Sequence, residues 1–410
     1  MRKIVTLIIA LSFMTGLSAQ VKPGIEVLRD NGFKELEGKR VGLITNPTGV
    51  DRNLKSTIDI LFEAPNVNLV ALYAPEHGIR GDVTSGGQVT DTTEPLTGLP
   101  VYSLYGKNKK PSPEILQGID ILLYDMQDIG CRSYTFISTM GLAIEAAAEN
   151  GIEFIVLDRP NPLGGNRFEG QPNVEPNLVS LVSQFPITYV HGFSVGELAN
   201  FLNEEGLLKD GIRCNLKVIN MKGWKRKMNF EATGLPWVIS SPHVPHAKTA
   251  YYYVLSGILG ELHSGFIGIG YTLPFEVFGA EWIDAEKLTA NLNRLNIPGV
   301  RFRPMHYKPY YGAQKDIYLH GVQTYITDVN KIPLTLIQFY VMQECYKLYP
   351  DKNLFELCDP SRLNMFDKVC GTSQVREAFT KNFTVESIKE IWNKDVDNFK
   401  KKAKQYFLYK

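Results

Sequence analysis

Ile119-Asp120-Ile121-Leu122-Leu123-Tyr124-Asp125-Met126-Gln127-Asp128 is an apolar run that breaks abruptly into acids and an amide, and its reading decides the fold. Similar short apolar runs occupy residues 40–45, 69–74, 101–105, 154–157 and 187–190. Between them, residues 53–63 and 137–150 carry apolar side chains at helical spacing. The second of these stops at Gly151, as a glycine C-cap would. Ser194 and Glu197 stand at capping-box spacing and mark a further helix start. Strands that are apolar throughout, alternating with amphipathic helices, predict an α/β fold: a mostly parallel sheet with helices on both faces.

The chain opens Met1-Arg2-Lys3, continues through an apolar run over 4–14 and closes with Thr15-Gly16-Leu17-Ser18-Ala19. A charged start, a short apolar stretch and small residues predict a signal peptide cut after Ala19, and hence a secreted or periplasmic protein beginning at Gln20. The run is shorter than the roughly 20 residues a spanning helix needs, and none like it follows, so no membrane span is expected. About 390 residues remain, more than one core usually serves. Prolines and tyrosines followed by a glycine-rich stretch over 257–279 suggest loops and irregular strands, with helices at 333–349 and 384–404. This change of texture predicts a domain over 20–235 and a second over 236–410.

Forty-four basic and 43 acidic residues, spread along the chain for a net charge of +1, offer no footprint for nucleic acid. The five cysteines are scattered and form no Cys-x-x-Cys pair, which argues against a disulfide framework and a structural zinc. Neither Gly-x-Gly-x-x-Gly nor a P-loop occurs, so no nucleotide cofactor is expected.

In open α/β sheets ligands bind beyond the carboxyl ends of the strands. Three predicted strands run there into Pro75-Glu76-His77-Gly78-Ile79-Arg80, into Asp125-Met126-Gln127-Asp128 followed by Arg132, and into Asp158-Arg159-Pro160-Asn161 followed by Glu169. Glu76, Asp125, Asp128, Asp158 and Glu169 thus reach one rim. Glycoside hydrolysis commonly needs two carboxyl groups, one to protonate the leaving oxygen and one as base or nucleophile. His77, Arg80, Gln127, Arg132 and Asn161 are the neighbouring candidates for holding substrate. Bland alternatives stand beside these: Asp158 and Arg159 as an internal ion pair, and Asp128 as a turn cap before Arg132. His243 and His246 could instead ligate a metal with Asp125 or His77, in a metal-dependent hydrolase.

Gly42-Leu43-Ile44-Thr45-Asn46-Pro47, Pro75-Glu76-His77-Gly78-Ile79-Arg80-Gly81, Asp125-Met126-Gln127-Asp128-Ile129-Gly130 and Asp158-Arg159-Pro160-Asn161-Pro162-Leu163-Gly164-Gly165 together resemble the exo-β-N-acetylmuramidase family of YbbC-like proteins. So do Pro274-Phe275-Glu276 and the closing Tyr406-Phe407-Leu408-Tyr409, and the likeness spans nearly the whole mature chain. The resemblance implies a Rossmann-like domain with a smaller α+β C-terminal domain and an active-site cleft between them. It also implies release of N-acetylmuramic acid from the non-reducing end of peptidoglycan fragments. By motif position it points to Glu76 and Glu169 as catalytic carboxyls, with Asp125 a third contender. It also brings Glu261 and His243 to the substrate-binding wall.

The resemblance falters where the family carries a Glu-Gly-Arg-Gly-Thr-Thr-Arg run and this chain has Ile267-Gly268-Ile269-Gly270-Tyr271-Thr272-Leu273. Those arginines are suited to the lactyl carboxylate of muramic acid. Either another cation, such as Arg80, Arg132 or Arg159, replaces them, or the specificity has shifted. A noncatalytic saccharide-binding protein is the remaining alternative.

Overall fold

The computed structural model describes residues 20–84 and 86–410, so the expected signal peptide lies outside the described residues. Seven strands form the first sheet: β1 (Arg40–Thr45), β2 (Asn68–Ala74), β3 (Thr92–Thr93), β4 (Pro100–Ser103), β5 (Ile121–Asp125), β6 (Glu153–Leu157) and β7 (Leu216–Ile219). Their order is β3-β4-β2-β1-β5-β6-β7, parallel throughout except for the antiparallel edge strand β3.

Both faces are covered, which is why the central strands read as unbroken apolar runs. Ile121 and Leu123 of β5 pack on one side with Ile25 and Leu28 of helix α1 (Gly24–Asp30) and Ile60 and Leu61 of α2 (Thr57–Phe62). Leu122 and Tyr124 pack on the other with Met140 and Ile144 of α3 (Phe136–Glu149) and Leu198 and Leu202 of α4 (Val195–Glu204). The capping box at α4 is present: Ser194 Oγ accepts from the Glu197 amide at 3.2 Å, and the Glu197 carboxylate accepts from the Ser194 amide at 3.0 Å. Such a cap contributes about 1 kcal/mol.

Two expectations differ. Residues 187–190 join no sheet: Val190 bridges only Cys131 and Glu169. The place beside β6 belongs to β7, a four-residue strand interrupted by the exposed Lys217. In the second half, the stretch expected to be loops contains α5 (Thr249–Gly260), whose Tyr251 and Tyr252 are buried. Strands β8 (Val277–Ala280), β9 (Val300–Tyr307) and β10 (Leu319–Ile326) form a small antiparallel sheet, covered by α6 (Ala285–Arg294). Helices α7 (Ile337–Leu348), α8 (Leu354–Leu357), α9 (Pro360–Cys370), α10 (Gln374–Asn382), α11 (Glu386–Asn393) and α12 (Val396–Ala403) complete this half. The helix expected over 384–404 is divided at Asp395, whose backbone is left-handed.

One continuous core runs from the α3/α4 side of the large sheet into these helices. The last residues return to the first sheet. Tyr409 donates to Asp158, the Leu408 amide to Glu197, and Phe407 lies against the Arg226 guanidinium. No described helix is long and apolar enough to cross a membrane. All five cysteines are buried and free.

Candidate active site

A cavity of about 710 Å³ opens beyond the carboxyl ends of β2, β4 and β5. The loop after β2 brings Glu76 and His77, and the segment leading into α3 brings Ser133, Tyr134 and Thr135. The opposite wall comes from the second half of the chain: Ser241 and His243, Tyr253 of α5, Glu261 at its end, His263, Phe275, and Arg362, Met365 and Lys368 of α9.

Glu76 is 7 % exposed. Thr135 Oγ1 donates to one carboxylate oxygen at 2.6 Å and the Gly86 amide to the other at 3.3 Å. Tyr105 is also hydrogen-bonded to Glu76; burial and that neighbouring charge push its hydroxyl up, so it remains a donor. The His77 backbone is left-handed, and its Nδ1 lies 2.8 Å from the Val83 carbonyl. A carbonyl only accepts, so Nδ1 carries the proton.

Glu261 differs. Its side chain keeps 28 % of its surface open, onto the cavity, while protein closes in its other sides. That burial pushes its carboxyl above the ordinary glutamate value; Arg362, 2.5 Å away, opposes the shift, and the charge of Glu76 reinforces it. The Arg362 Nε also donates to the Glu261 carbonyl at 2.6 Å. His243 is pushed down, first by burial and then by His77, and its Nε2 lies 2.9 Å from the Tyr311 hydroxyl.

Most of the expected rim lies elsewhere. Asp125 is fully buried, receives Arg159 Nε and Nη2 at 2.6 and 2.9 Å, and accepts from Thr57 at 2.5 Å. The ion pair involving Arg159 is therefore with Asp125 rather than Asp158. Asp158 instead accepts from Ser194, Gly196, Tyr409 and the Arg159 amide at the start of α4, and burial pushes it up to about 7. Asp128 caps its turn through the Gly130 amide at 2.6 Å and meets His191 at 3.2 Å. Gln127 donates to the Asp128 and Pro160 carbonyls, and Asn161 to the Phe193 carbonyl; these hold loops together.

Arg132, 1 % exposed, donates to four main-chain carbonyls: Gln171, Ile187, Val369 and Cys370. Arg80 pairs with Glu94 in a separate recess of about 300 Å³. Glu169 pairs with Arg167, accepts from the Thr335 amide and hydroxyl at 2.9 Å, and lines a different cavity of about 620 Å³. Of the candidates, Glu76, His77, His243 and Glu261 share the large cavity. Among the described residues no group of three or more His, Cys, Asp or Glu side chains is arranged to hold a metal. Sequence reasoning passed over Tyr105, Thr135, Tyr253, Arg362 and Lys368, which come from elements without a marked motif.

The altered run over 267–273 is a packed bracket. Tyr271 stacks on Tyr310, and the Tyr310 amide donates to the Gly270 carbonyl at 2.7 Å. Gly270 has φ +106°, and a Cβ there would stand 2.4 Å from the Tyr311 carbonyl, so only glycine suits the position. The bracket thereby supports Tyr311 against His243.

A covered parallel sheet with two carboxyl groups in one cavity beyond its strand ends, one rich in donors and one raised toward its protonated form, defines a hydrolase of the glycosidase class. The chain matches known proteins along almost its whole length. Residues 41–248 match the family described as exo-beta-N-acetylmuramidase NamZ, N-terminal, and residues 251–409 its C-terminal counterpart. The chain is 43 % identical over 395 residues to the peptidoglycan beta-N-acetylmuramidase NamZ of Bacillus subtilis (strain 168), covering 96 % of this chain and 93 % of that one. Two crystal structures of DUF1343 family proteins from Bacteroides fragilis NCTC 9343 are also similar. One has a TM-score of 0.92 at 58 % identity, covering 95 % of this chain and 99 % of the other; the second has 0.73 at 30 %, covering 96 % and 99 %. The protein belongs to the NamZ family of exo-β-N-acetylmuramidases.

Proposed function

We propose that this protein is an exo-acting glycosidase that releases N-acetylmuramic acid from the non-reducing ends of peptidoglycan fragments, and that Glu76 and Glu261 are its working carboxyls. Family membership supports the reaction, and the cavity shared by Glu76 and Glu261 supports the assignment. Glu261, whose carboxyl burial and Glu76 push up against the opposing pull of Arg362, is the general acid for the leaving oxygen. Glu76 is held by Thr135, Gly86 and Tyr105 as the base or nucleophile on the other side of the scissile bond. Tyr134, Tyr253 and Phe275 supply apolar wall against which a sugar ring packs. Release of 4-nitrophenol from the β-glycoside of N-acetylmuramic acid tests the reading, and a folded protein that leaves this substrate intact would refute it.

We further infer export, supported by the order of charged, apolar and small residues before Gln20. Intact-mass analysis of protein from its native host should find Gln20 first; retention of Met1 refutes this.

A further inference from the structure

None of the three cations expected to stand in for the missing arginine run reaches the cavity. Arg132 is buried with both terminal nitrogens bonded to main-chain carbonyls, Arg159 is buried against Asp125, and Arg80 faces a different recess. The cations that do line the cavity are Arg362, Lys109 and Lys368. Arg362 is held twice by Glu261, and Lys109 sits on an exposed loop.

Lys368 is placed differently. Arg362, Met365 and Lys368 follow one another at three-residue spacing along α9, forming a stripe on the cavity wall. The end of that helix is fixed from the first domain, because Arg132 Nη2 donates to the Val369 and Cys370 carbonyls at 3.1 and 2.8 Å. Gln171 adds a second bond to Cys370 at 2.8 Å. A lysine in a last helical turn ordinarily compensates the exposed carbonyls there. Here those carbonyls are already taken by Arg132 and by the Gly371 amide. The adjacent acid, Asp367, is paired with Arg376. Among the described residues Lys368 forms no ion pair, and its side chain is half-buried on a rigid wall of the cavity.

We infer that Lys368 is the specificity-determining cation, binding the carboxylate of the 3-O-lactyl group that distinguishes N-acetylmuramic acid from N-acetylglucosamine. This rests on the proposed function. An ammonium and a carboxylate form a charge-assisted hydrogen bond of about 2.7–2.9 Å, and a partly enclosed site strengthens it. The Arg362–Glu261 pair is left to the chemistry, and the charge on Lys368 to recognition.

The test compares kcat/KM for the 4-nitrophenyl β-glycosides of the two sugars in the full protein and in Lys368→Met, which keeps the apolar stem and loses the charge. The muramic acid value should fall roughly 10- to 100-fold, while the N-acetylglucosamine value and the melting temperature hold. Lys368→Arg should retain the preference, and Lys109→Met should move both substrates alike. If Lys368→Met fails to fold, Lys368→Gln takes its place. An unchanged substrate ratio in the folded variant overturns the assignment, as does loss of preference in Lys109→Met or a parent protein without preference. If the parent hydrolyses neither glycoside, the proposed function falls, and calorimetric titration with the two free sugars still decides on Lys368. Tighter binding of N-acetylmuramic acid that is lost in Lys368→Met sustains the contact; equal binding, or none, overturns it.

Discussion

Glu261, at the end of α5, has its carboxyl pushed up by burial and then by the negative charge of Glu76, which enters the same cavity from the loop after β2. Each half of the chain contributes one member of the pair. The two halves are therefore chemically incomplete without each other.

Glu76→Gln and Glu261→Gln should each lower turnover about 10²–10⁴-fold, the usual cost of removing a general acid, base or nucleophile. Glu169→Gln should leave turnover near the parent value and lower the melting temperature, since Glu169 ties Arg167 to Thr335 outside the cavity. A Glu169→Gln loss as deep as that of Glu76→Gln would move the active site to the other cavity.

The rate should fall on the alkaline side as Glu261 loses its proton, at a pH above the ordinary glutamate value of about 4.3. Arg362 favours the charged form of Glu261, so Arg362→Met should raise the carboxyl further and move that limb to higher pH. Arg362→Lys should leave it nearly in place. A downward shift in kcat/KM profiles of Arg362→Met contradicts Glu261 as the acid.

Asp125→Asn should unfold at a lower denaturant concentration, with a loss of about 3–5 kcal/mol, because it leaves the buried Arg159 guanidinium without its counter-charge. An unchanged midpoint would show that the pair is dispensable to the fold.

Tyr409→Phe deprives Asp158 of a donor and the Met221 amide of its acceptor. Loss of roughly 1–3 kcal/mol is expected for a buried polar group left unpaired, read as a lower melting temperature with intact activity at 25 °C.

The central strands were legible because both their faces are buried, and Glu76 because it follows such a strand directly. Asp125 misled for a reason the pleat explains. It shares the alternation of Ile121 and Leu123, so it points toward α1 and α2, where Thr57 and Arg159 meet it, whereas the cavity lies on the side of Tyr134 and Tyr253. Acids at strand ends can be read from a sequence, but which of them an arginine or a helix start has already taken is decided by contacts far apart in the chain. Arg132, which reaches Cys370 across 238 residues, and Lys368, whose helix it holds, left no local trace. The C-terminal half was harder to read because its prolines and glycines masked α5.

The return of Tyr409 to Asp158 joins residues 251 positions apart, and it bears on how the chain is made. While the polypeptide emerges from the ribosome, β6 and α4 are complete long before the hydroxyl that satisfies Asp158 exists, and Glu197 likewise waits for the Leu408 amide. The first sheet therefore cannot reach its final state domain by domain from the N-terminus. Its last polar contacts close only when Leu408 and Tyr409 are available, through a long loop whose closure is entropically slow. Closing the first sheet thus depends on a segment 251 residues downstream of Asp158.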